Sequence, residues 1–360
     1  MIIGIPKEKK DEEYRVSITP DNAKTLIDLG HEILIEKEAG AGSGFSNEEY
    51  EIVGATIKED VGEIFNKSEM ILKVKEPIES EYKLFRNGQI VFTYFHFASS
   101  KELLSSMIKN KIIAIAYETV QDENGSLPLL EPMSEIAGKL SSQIAAYLLT
   151  KPFGGKGLLI GGASGVLAAN VLIIGAGIAG VNAAKIASGM GANVSLLDIN
   201  INKIRYLSNF LPKNIILLQA NKTIIGKLSK EADVVIGAVL IPGEKAPKIM
   251  SQEDIKNMKK GSVVVDISID QGGCFETSKP TCHSNPVYIE HDIIHYCVTN
   301  IPAMVPQTST VALSNATINY VIDIANMGLE KAIEGNIALK SGLSLLNGEI
   351  IDEKLLKIIN

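Results

Sequence analysis

The chain has 360 residues, enough for about two to two and a half domains at ~150 residues each. Hydrophobic residues make up 46% and charged residues 21%, which excludes a disordered or collagen-like chain. With 42 acidic against 35 basic side chains, a formal charge of −7, the surface repels phosphate backbones and no nucleic-acid partner is expected.

In chain order, Ile2–Ile5, Glu32–Glu36, Met70–Val74, Ile90–Phe95 and Ile112–Ala116 read as strands. Helices fall between them. Thr19 can cap one, with Pro20 at its first position and Gly30 past its end, and Ser99 with Glu102 forms a capping box opening Ser100–Lys109. Strands alternating with helices imply βαβ units and a mostly parallel sheet. A long helix is expected from near Ser134 to about Leu149, with Pro132 before it. A second alternation follows, with strands at Val171–Ile174, Val194–Leu197, Ile215–Leu218, Val234–Gly237, Val263–Ile267 and Tyr296–Thr299. Helices at Ile178–Met190, Lys203–Leu211, Ile224–Glu231 and Gln252–Met258 complete the inventory of a doubly wound dinucleotide fold. Another long helix starts after Pro306 and runs to Met327, ending at Gly328. The two long helices suggest a chain that leaves one domain, completes a second and returns. The tail, with its turn at Leu346-Asn347-Gly348-Glu349, would then pack on the first domain. The expected division is 1–130 with 306–360 for one domain and 131–305 for the other.

From Gly157 to Ala184 no residue is charged, a stretch of 28 positions where about 20 suffice to cross a bilayer. The pattern inside argues for a different origin. Val171-Leu-Ile-Ile174 leads into Gly175-Ala-Gly177-Ile-Ala-Gly180 and then a helix pattern, and Asp198 ends a strand 23 positions after Gly175. Gly175 permits a tight turn, Gly177 lets the backbone approach a pyrophosphate at the helix N-terminus, and Gly180 lets helix and strand pack closely. Asp198 would accept from the ribose hydroxyls and repel a 2′-phosphate, favouring NAD over NADP. Lys203 and Arg205 weigh the other way unless they are solvated helix charges. A buried parallel strand with its glycine loop and inner helix accounts for the missing charge, so no membrane partner is expected.

Hydride transfer to or from an amino or hydroxy acid needs cations for the carboxylate and a proton shuttle. Lys73 and Lys75 share one strand face and would lie where parallel sheets bind ligands, or else form a solvated edge pair. His96 ends the run Val91-Phe-Thr-Tyr-Phe-His96, with Tyr94 on its face. A helix N-terminus nearby would lower its pKa and suit a neutral base, the bland alternative being a core histidine. Arg15 follows the first strand and offers a bidentate fork, or a surface ion pair with the three acids before it. Asp270 sits past the end of a strand, and Asn300–Pro306 form a proline-bracketed loop on the same side. Cys274, Cys282, His283, His291, His295 and Cys297 cluster in sequence without a Cys-x-x-Cys pair, so they read as core and loop residues and no metal is expected. Three cysteines do not make a disulfide framework and suggest a reducing, cytoplasmic setting.

With these segments in hand, nearly the whole sequence resembles the alanine dehydrogenase family. The resemblance rests on Gly4-Ile-Pro-Lys-Glu8 with Arg15-Val16, Lys73-Val-Lys-Glu-Pro77, Tyr94-Phe-His96, Glu131-Pro-Met-Ser-Glu135, the glycine fingerprint with Leu197-Asp198, Gly237-Ala-Val-Leu-Ile-Pro-Gly243, Val265-Asp-Ile-Ser-Ile-Asp-Gln-Gly-Gly-Cys274 and His295-Tyr-Cys-Val-Thr-Asn300. It implies interconversion of L-alanine, NAD and water with pyruvate, ammonium and NADH. It implies two Rossmann-like doubly wound domains, the NAD domain inserted into a discontinuous substrate domain, joined by two long helices, and a homohexamer. By resemblance, Arg15 and Lys75 bind the substrate, Tyr94 and Met133 line its pocket, His96 moves the proton and Asp270 assists. Ser134, Gly175, Gly177, Ile178, Gly180, Asp198, Lys203, Ala220, Val239, Leu240, Ile267, Asp270, Val298, Asn300 and Ile301 would contact NAD. Ala220 stands where relatives often carry Ser, and Ala303-Met304 where they often carry Gly-Ala.

Overall fold

The computed structural model describes residues 1–240 and 245–359. The chain forms two compact units, Met1–Met133 with Ala303–Asn360, and Ser134–Pro302. Each is built on one sheet. In chain order the first unit contributes β1 (Ile2–Ile5), β2 (Glu32–Glu36), β3 (Thr56–Lys58), β4 (Met70–Leu72), β5 (Ile90–Thr93) and β6 (Ile113–Ala116). The second contributes β7 (Asn170–Ile174), β8 (Asn193–Asp198), β9 (Ile215–Gln219), β10 (Val234–Gly237), β11 (Val263–Asp266), β12 (Val287–Glu290) and β13 (Ile293–Tyr296). The tail returns to the first unit as β14 (Leu343–Leu346) and β15 (Glu349–Ile350).

The first sheet has the order β15-β14-β6-β5-β4-β1-β2-β3, parallel except for the final hairpin. The second has the order β12-β13-β11-β10-β7-β8-β9, with β12 antiparallel. In both, the chain starts in the middle, steps outward twice, then crosses back to the other side of its first strand. The crossover leaves a switch point between β1 and β4 and another between β7 and β10. Loops diverge there at the carboxyl ends of the strands, which is where open α/β sheets bind ligands. β4, β5, β10 and β11 are buried at every position, as strands covered on both faces by helices must be.

The helix Glu131–Leu148 begins at the end of the first unit and continues into the second. A Cβ at Gly138 would stand 2.1 Å from the Ala179 carbonyl oxygen. The helix therefore packs directly on Ile178–Gly189, the helix that follows the glycine loop. Pro132 lies in its first turn, not ahead of it, since a proline there lacks only an N–H that has no helical partner. The other long helix runs Pro306–Met327 and is capped by Gly328, as expected. The tail hairpin turns at Asn347 and Gly348, with φ of 50° and 83°, the pair of left-handed residues that a tight hairpin demands.

Three further details differ from expectation. The last parallel strand is Ile293–Tyr296 rather than Tyr296–Thr299, because β12 pairs with it in a hairpin while Val298 instead bridges Thr281. The second sheet accordingly has seven strands. The helix Lys101–Lys109 is capped by Ser100, whose side chain accepts from Leu103, while the Ser99 hydroxyl donates to the His96 carbonyl. Lys73 and Lys75 lie beyond the end of β4 and do not share surroundings. Among the described residues no helix is long and apolar enough to cross a membrane.

Candidate active site

In the first unit, segments leaving β1, β4 and β5 carry the charged and titratable groups to the switch point. Arg15 is 2% exposed. Glu13, itself buried, takes the Nε and Nη2 edge of its guanidinium at 2.7 and 2.6 Å, and Nη1 donates to the Met133 sulfur at 3.2 Å. Of the two readings the sequence left open, the ion pair is present, but it is buried and braces the cation instead of decorating the surface. Two of the five guanidinium N–H groups go to Glu13, which fixes the direction of the rest.

Lys73 is consumed internally. Its ammonium lies 3.1 Å from Glu8 and 3.0 Å from Glu81, all three side chains being buried. Burial opposes its charge, but the two carboxylates outweigh burial and hold its pKa above the ordinary lysine range. Glu8 also accepts the amides of Val74 at 2.6 Å and Lys75 at 3.3 Å, and the Thr93 hydroxyl donates to the Lys75 carbonyl at 2.9 Å. The backbone of Lys75 is thus held on both sides. Its ammonium is 3.6 Å from Glu76, which also pairs with Lys10.

His96 is half-buried, and its ring stacks on Tyr94 at 5.9 Å and 12°. Burial, and then the charge of Lys75 with help from Lys10 and Arg15, lower its pKa to about 3, with Glu76 opposing. The expected direction holds, with burial the largest cause and the neighbouring cations next. Tyr94 is buried and donates to the Leu129 carbonyl. Arg15, Lys75, Tyr94, His96 and Met133 are therefore gathered at one switch point. Glu8, Glu13, Glu76, Glu81 and Glu118 support them and were not singled out by the sequence. Glu8 and Glu76 lie inside the Gly4–Glu8 and Lys73–Pro77 motifs, and Glu13 is one of three acids before Arg15, whereas Glu118 carries no local signal.

In the second unit the glycine loop joins β7 to its helix. Gly175 has φ +103°, and a Cβ there would stand 2.3 Å from the Ala238 carbonyl oxygen. A Cβ on Gly180 would stand 1.8 Å from the Gly175 carbonyl oxygen, while one on Gly177 would meet nothing within 4 Å. Two glycines are thus required by the fold, and the third leaves open space over the helix N-terminus. That fits a pyrophosphate approaching the backbone. Asp198 accepts the amides of Ala176 and Asn200, each at 2.9 Å, and lies 3.6 Å from Lys203. Among the other residues expected to contact the dinucleotide, Ser134, Ala220, Val239 and Ile267 are half-buried, and Ile178 and Leu240 are exposed. Residues 241–243 of the Gly237–Gly243 motif lie outside the described residues.

Asp270 is exposed on a short turn after β11 and accepts the Asn300 amide at 3.4 Å. Val298 and Ile301 are buried. Lys248 donates to three carbonyls of the same loop, those of Gly272, Gly273 and Phe275, at 2.8 to 3.0 Å. His295 is fully buried. Its Nδ1 can only donate to the Ile293 carbonyl, so Nε2 accepts from the Thr277 hydroxyl, and burial keeps the ring neutral. His283 donates to the Asn300 carbonyl, and His291 lies beside Gln252. Among the described residues no group of three His, Cys, Asp or Glu side chains could hold a metal ion.

Two family models match the chain: the alanine dehydrogenase/PNT N-terminal domain over residues 4–137 and the alanine dehydrogenase/PNT C-terminal domain over residues 141–353. An alanine dehydrogenase of Methanococcus maripaludis is 50% identical over 99% of this chain and 96% of its own length. One of Geobacillus stearothermophilus is 49% identical over 98% of this chain and 95% of its own. A solved L-alanine dehydrogenase superposes with a TM-score of 0.96 at 42% identity, covering 99% of both chains. A transhydrogenase from Sinorhizobium meliloti superposes at 0.85 with 23% identity, over 98% of this chain and all of its own, a likeness of fold.

Proposed function

The chain belongs to the alanine dehydrogenase/PNT family, and on that premise we propose that it catalyses the NAD-dependent oxidative deamination of L-alanine to pyruvate and ammonium, and the reverse reductive amination. The observation that carries the reading is the gathering of Arg15, Lys75 and His96 at the first switch point, with Tyr94 and Met133 beside them. A transhydrogenase component is the rival within the family. Near-half identity over almost full length to relatives named alanine dehydrogenase favours the dehydrogenase.

Gly175, Gly177, Gly180 and Asp198 would hold the dinucleotide, with Asp198 selecting NAD by repelling a 2′-phosphate. When bound, the nicotinamide supplies the acceptor or donor of hydride. Arg15 and Lys75 bind the substrate carboxylate and keto oxygen, each cation kept in place by a neighbouring carboxylate, Glu13 or Glu76. Tyr94 and Met133 close an apolar surface around a side chain the size of a methyl group. His96 is neutral because burial and the cations around it disfavour the imidazolium. It takes a proton from the substrate ammonium and releases it to solvent, then takes one from the water that adds to the imine carbon and returns that one to the nitrogen; the hydroxyl proton leaves with the departing ammonia, which goes as ammonium. Reductive amination uses the same groups in reverse. Asp270 and Asn300, joined through the Asn300 amide, border the nicotinamide end. The active form is taken to be a cytoplasmic homohexamer, which light scattering of the purified protein checks.

NADH formation from L-alanine and NAD, measured with a panel of other amino acids and with NADP, tests the reading. Turnover is expected with alanine and NAD and should fall by roughly 10²-fold or more in His96→Ala. A preference for a bulky amino acid, or unchanged turnover in His96→Ala, would count against it.

A further inference from the structure

We propose that Glu118 is the positioning residue that aims the His96 imidazole; this rests on the reading of His96 as the acid–base group. His96 has φ +48° and ψ +41°, the left-handed region that side chains bearing a Cβ disfavour. The sheet no longer helps at this point, because β5 ends at Thr93 and the last amide tied back to the β4 segment is that of Tyr94, which donates to Val74. The next two amides both go to one carboxylate. Phe95 N–H donates to Glu118 Oε2 at 3.2 Å and His96 N–H to Oε1 at 2.6 Å.

Glu118 stands in a short turn directly after β6, the neighbour of β5 in the sheet. It therefore reaches across from a strand whose register with β5 is fixed over four residues. On the other side of the bend, the His96 carbonyl accepts the Ser99 amide at 2.9 Å and the Ser99 hydroxyl at 2.7 Å. Phe95 and Phe97, both buried, stack on each other at 4.4 Å across the histidine. Glu118 ties down the incoming half of the bend, and Ser99 and the phenylalanine pair tie down the outgoing half. Glu118 also makes no ion pair at salt-bridge distance among the described residues, unlike Glu8, Glu13 and Glu81. Its partners are backbone amides, so its work is to accept hydrogen bonds.

Without that acceptor the left-handed bend relaxes and the imidazole drifts, and a displacement near 1 Å costs about 10²-fold in rate. The experiment compares wild type, Glu118→Ala, Glu118→Gln, His96→Ala and the Glu118→Ala/His96→Ala double variant, with NADH binding measured on each. Glu118→Ala should lower kcat by about 10- to 100-fold and leave NADH binding within about twofold. Glu118→Gln keeps an oxygen for the His96 amide and should recover kcat to within about fivefold of wild type. In the His96→Ala background, adding Glu118→Ala should change the residual rate by less than about twofold, because the group being aimed is already gone. Equal losses in both backgrounds, or no rescue by Gln, would mean a general structural role and overturn the proposal. Wild-type kcat in Glu118→Ala alongside a crippled His96→Ala overturns the proposal alone. Wild-type turnover in His96→Ala defeats the acid–base reading and the proposal with it. Should Glu118→Ala fail to fold, Glu118→Asp, which withdraws the carboxylate by one methylene, is held to the same split between kcat and NADH binding.

Discussion

Replacing Lys73 by Met separates the structural lysine from the one proposed to meet substrate. Met keeps most of the length and removes the charge. The Lys73 side chain is 1% exposed, and Glu8 and Glu81, at 3.1 and 3.0 Å, are 3% and 1% exposed. Removing their shared cation leaves two buried carboxylates without it, and breaking a buried pair in this way costs about 3–5 kcal/mol. A unit of this size loses about 2–4 °C of Tm per kcal/mol, so melting of the first unit should fall by roughly 6–20 °C. The deficit should also depend on pH. Burial raises the pKa of Glu8, and Lys73 is the largest influence lowering it again. Without Lys73 the folded value climbs further above the unfolded one, the folded state binds the extra proton, and the penalty eases as pH falls toward ~4.3. Calorimetry at several pH values reads both effects, with NADH binding as the control on the second unit. A drop of less than about 3 °C at neutral pH, or a deficit that grows on acidification, would refute the reasoning. Glu8 also holds the amides of Val74 and Lys75, so the KM for pyruvate should rise in the same variant while NADH affinity holds.

The glycine loop predicts a contrast. Gly177→Ala adds a methyl where nothing lies within 4 Å, so Tm should stay within about 2 °C while NADH affinity falls at least tenfold. Gly180→Ala drives a Cβ against the Gly175 carbonyl oxygen and should lose stability as well; equal Tm losses in the two variants would contradict the assignment. Asp198→Asn removes the charge facing a 2′-phosphate and leaves Lys203 nearby, so the ratio of NADP to NAD use should rise at least tenfold; an unchanged ratio in kcat/KM would release Asp198 from that role. His96, lowered to about 3 by burial and then Lys75, lies below its unfolded value of ~6.5, so the stability it contributes is present above ~6.5 and drains away as pH falls toward that lower value. Bound pyruvate should offset Lys75 and Arg15 and raise the His96 pKa, which NMR of isotopically labelled histidine can follow; a pKa that stays put or falls on binding would argue against those cations as the pyruvate site.

Most of the second unit was legible because its determinants are local. The strand, Gly175, Gly177, Gly180 and Asp198 lie within one stretch of chain, and each residue type answers a steric or charge demand of that stretch. The hidden strand is β12, whose partner β13 was displaced by three residues, since a half-buried edge strand shows weak alternation and gains its register only through the hairpin. In the first unit the cations were visible at strand ends, but which of them served structure was not. Lys73 and Lys75 are two positions apart and look equivalent in sequence. They part company because Glu8 and Glu81, from elsewhere in the chain, converge on one of them. Glu118 illustrates the same limit, since its partners are backbone amides 22 and 23 positions away, and a backbone amide leaves no mark on composition.

The parallel strands of the two units follow the same order and leave the same switch-point crevice, yet the units handle anions in different ways. The glycine loop offers helix N-terminal amides and open space, with no lysine or arginine among residues 175–180. That suffices for a dinucleotide, which spreads its contacts over a large surface. A three-carbon acid has few atoms to hold, and in a chain with net charge −7 the long-range field does not draw it in. Cations must then do the work at short range, and a lone flexible lysine or arginine loses side-chain entropy when it is pinned by substrate. For the two cations proposed to meet it, much of that freedom is already removed in the folded protein, because Glu13 holds Arg15 along one edge of the guanidinium, and burial with Glu76 at 3.6 Å confines the Lys75 ammonium. The carboxylates subtract from the attraction for an anion but leave the cations in fixed directions. The site thereby exchanges reach for orientation, which is what a reaction on a single α-carbon requires.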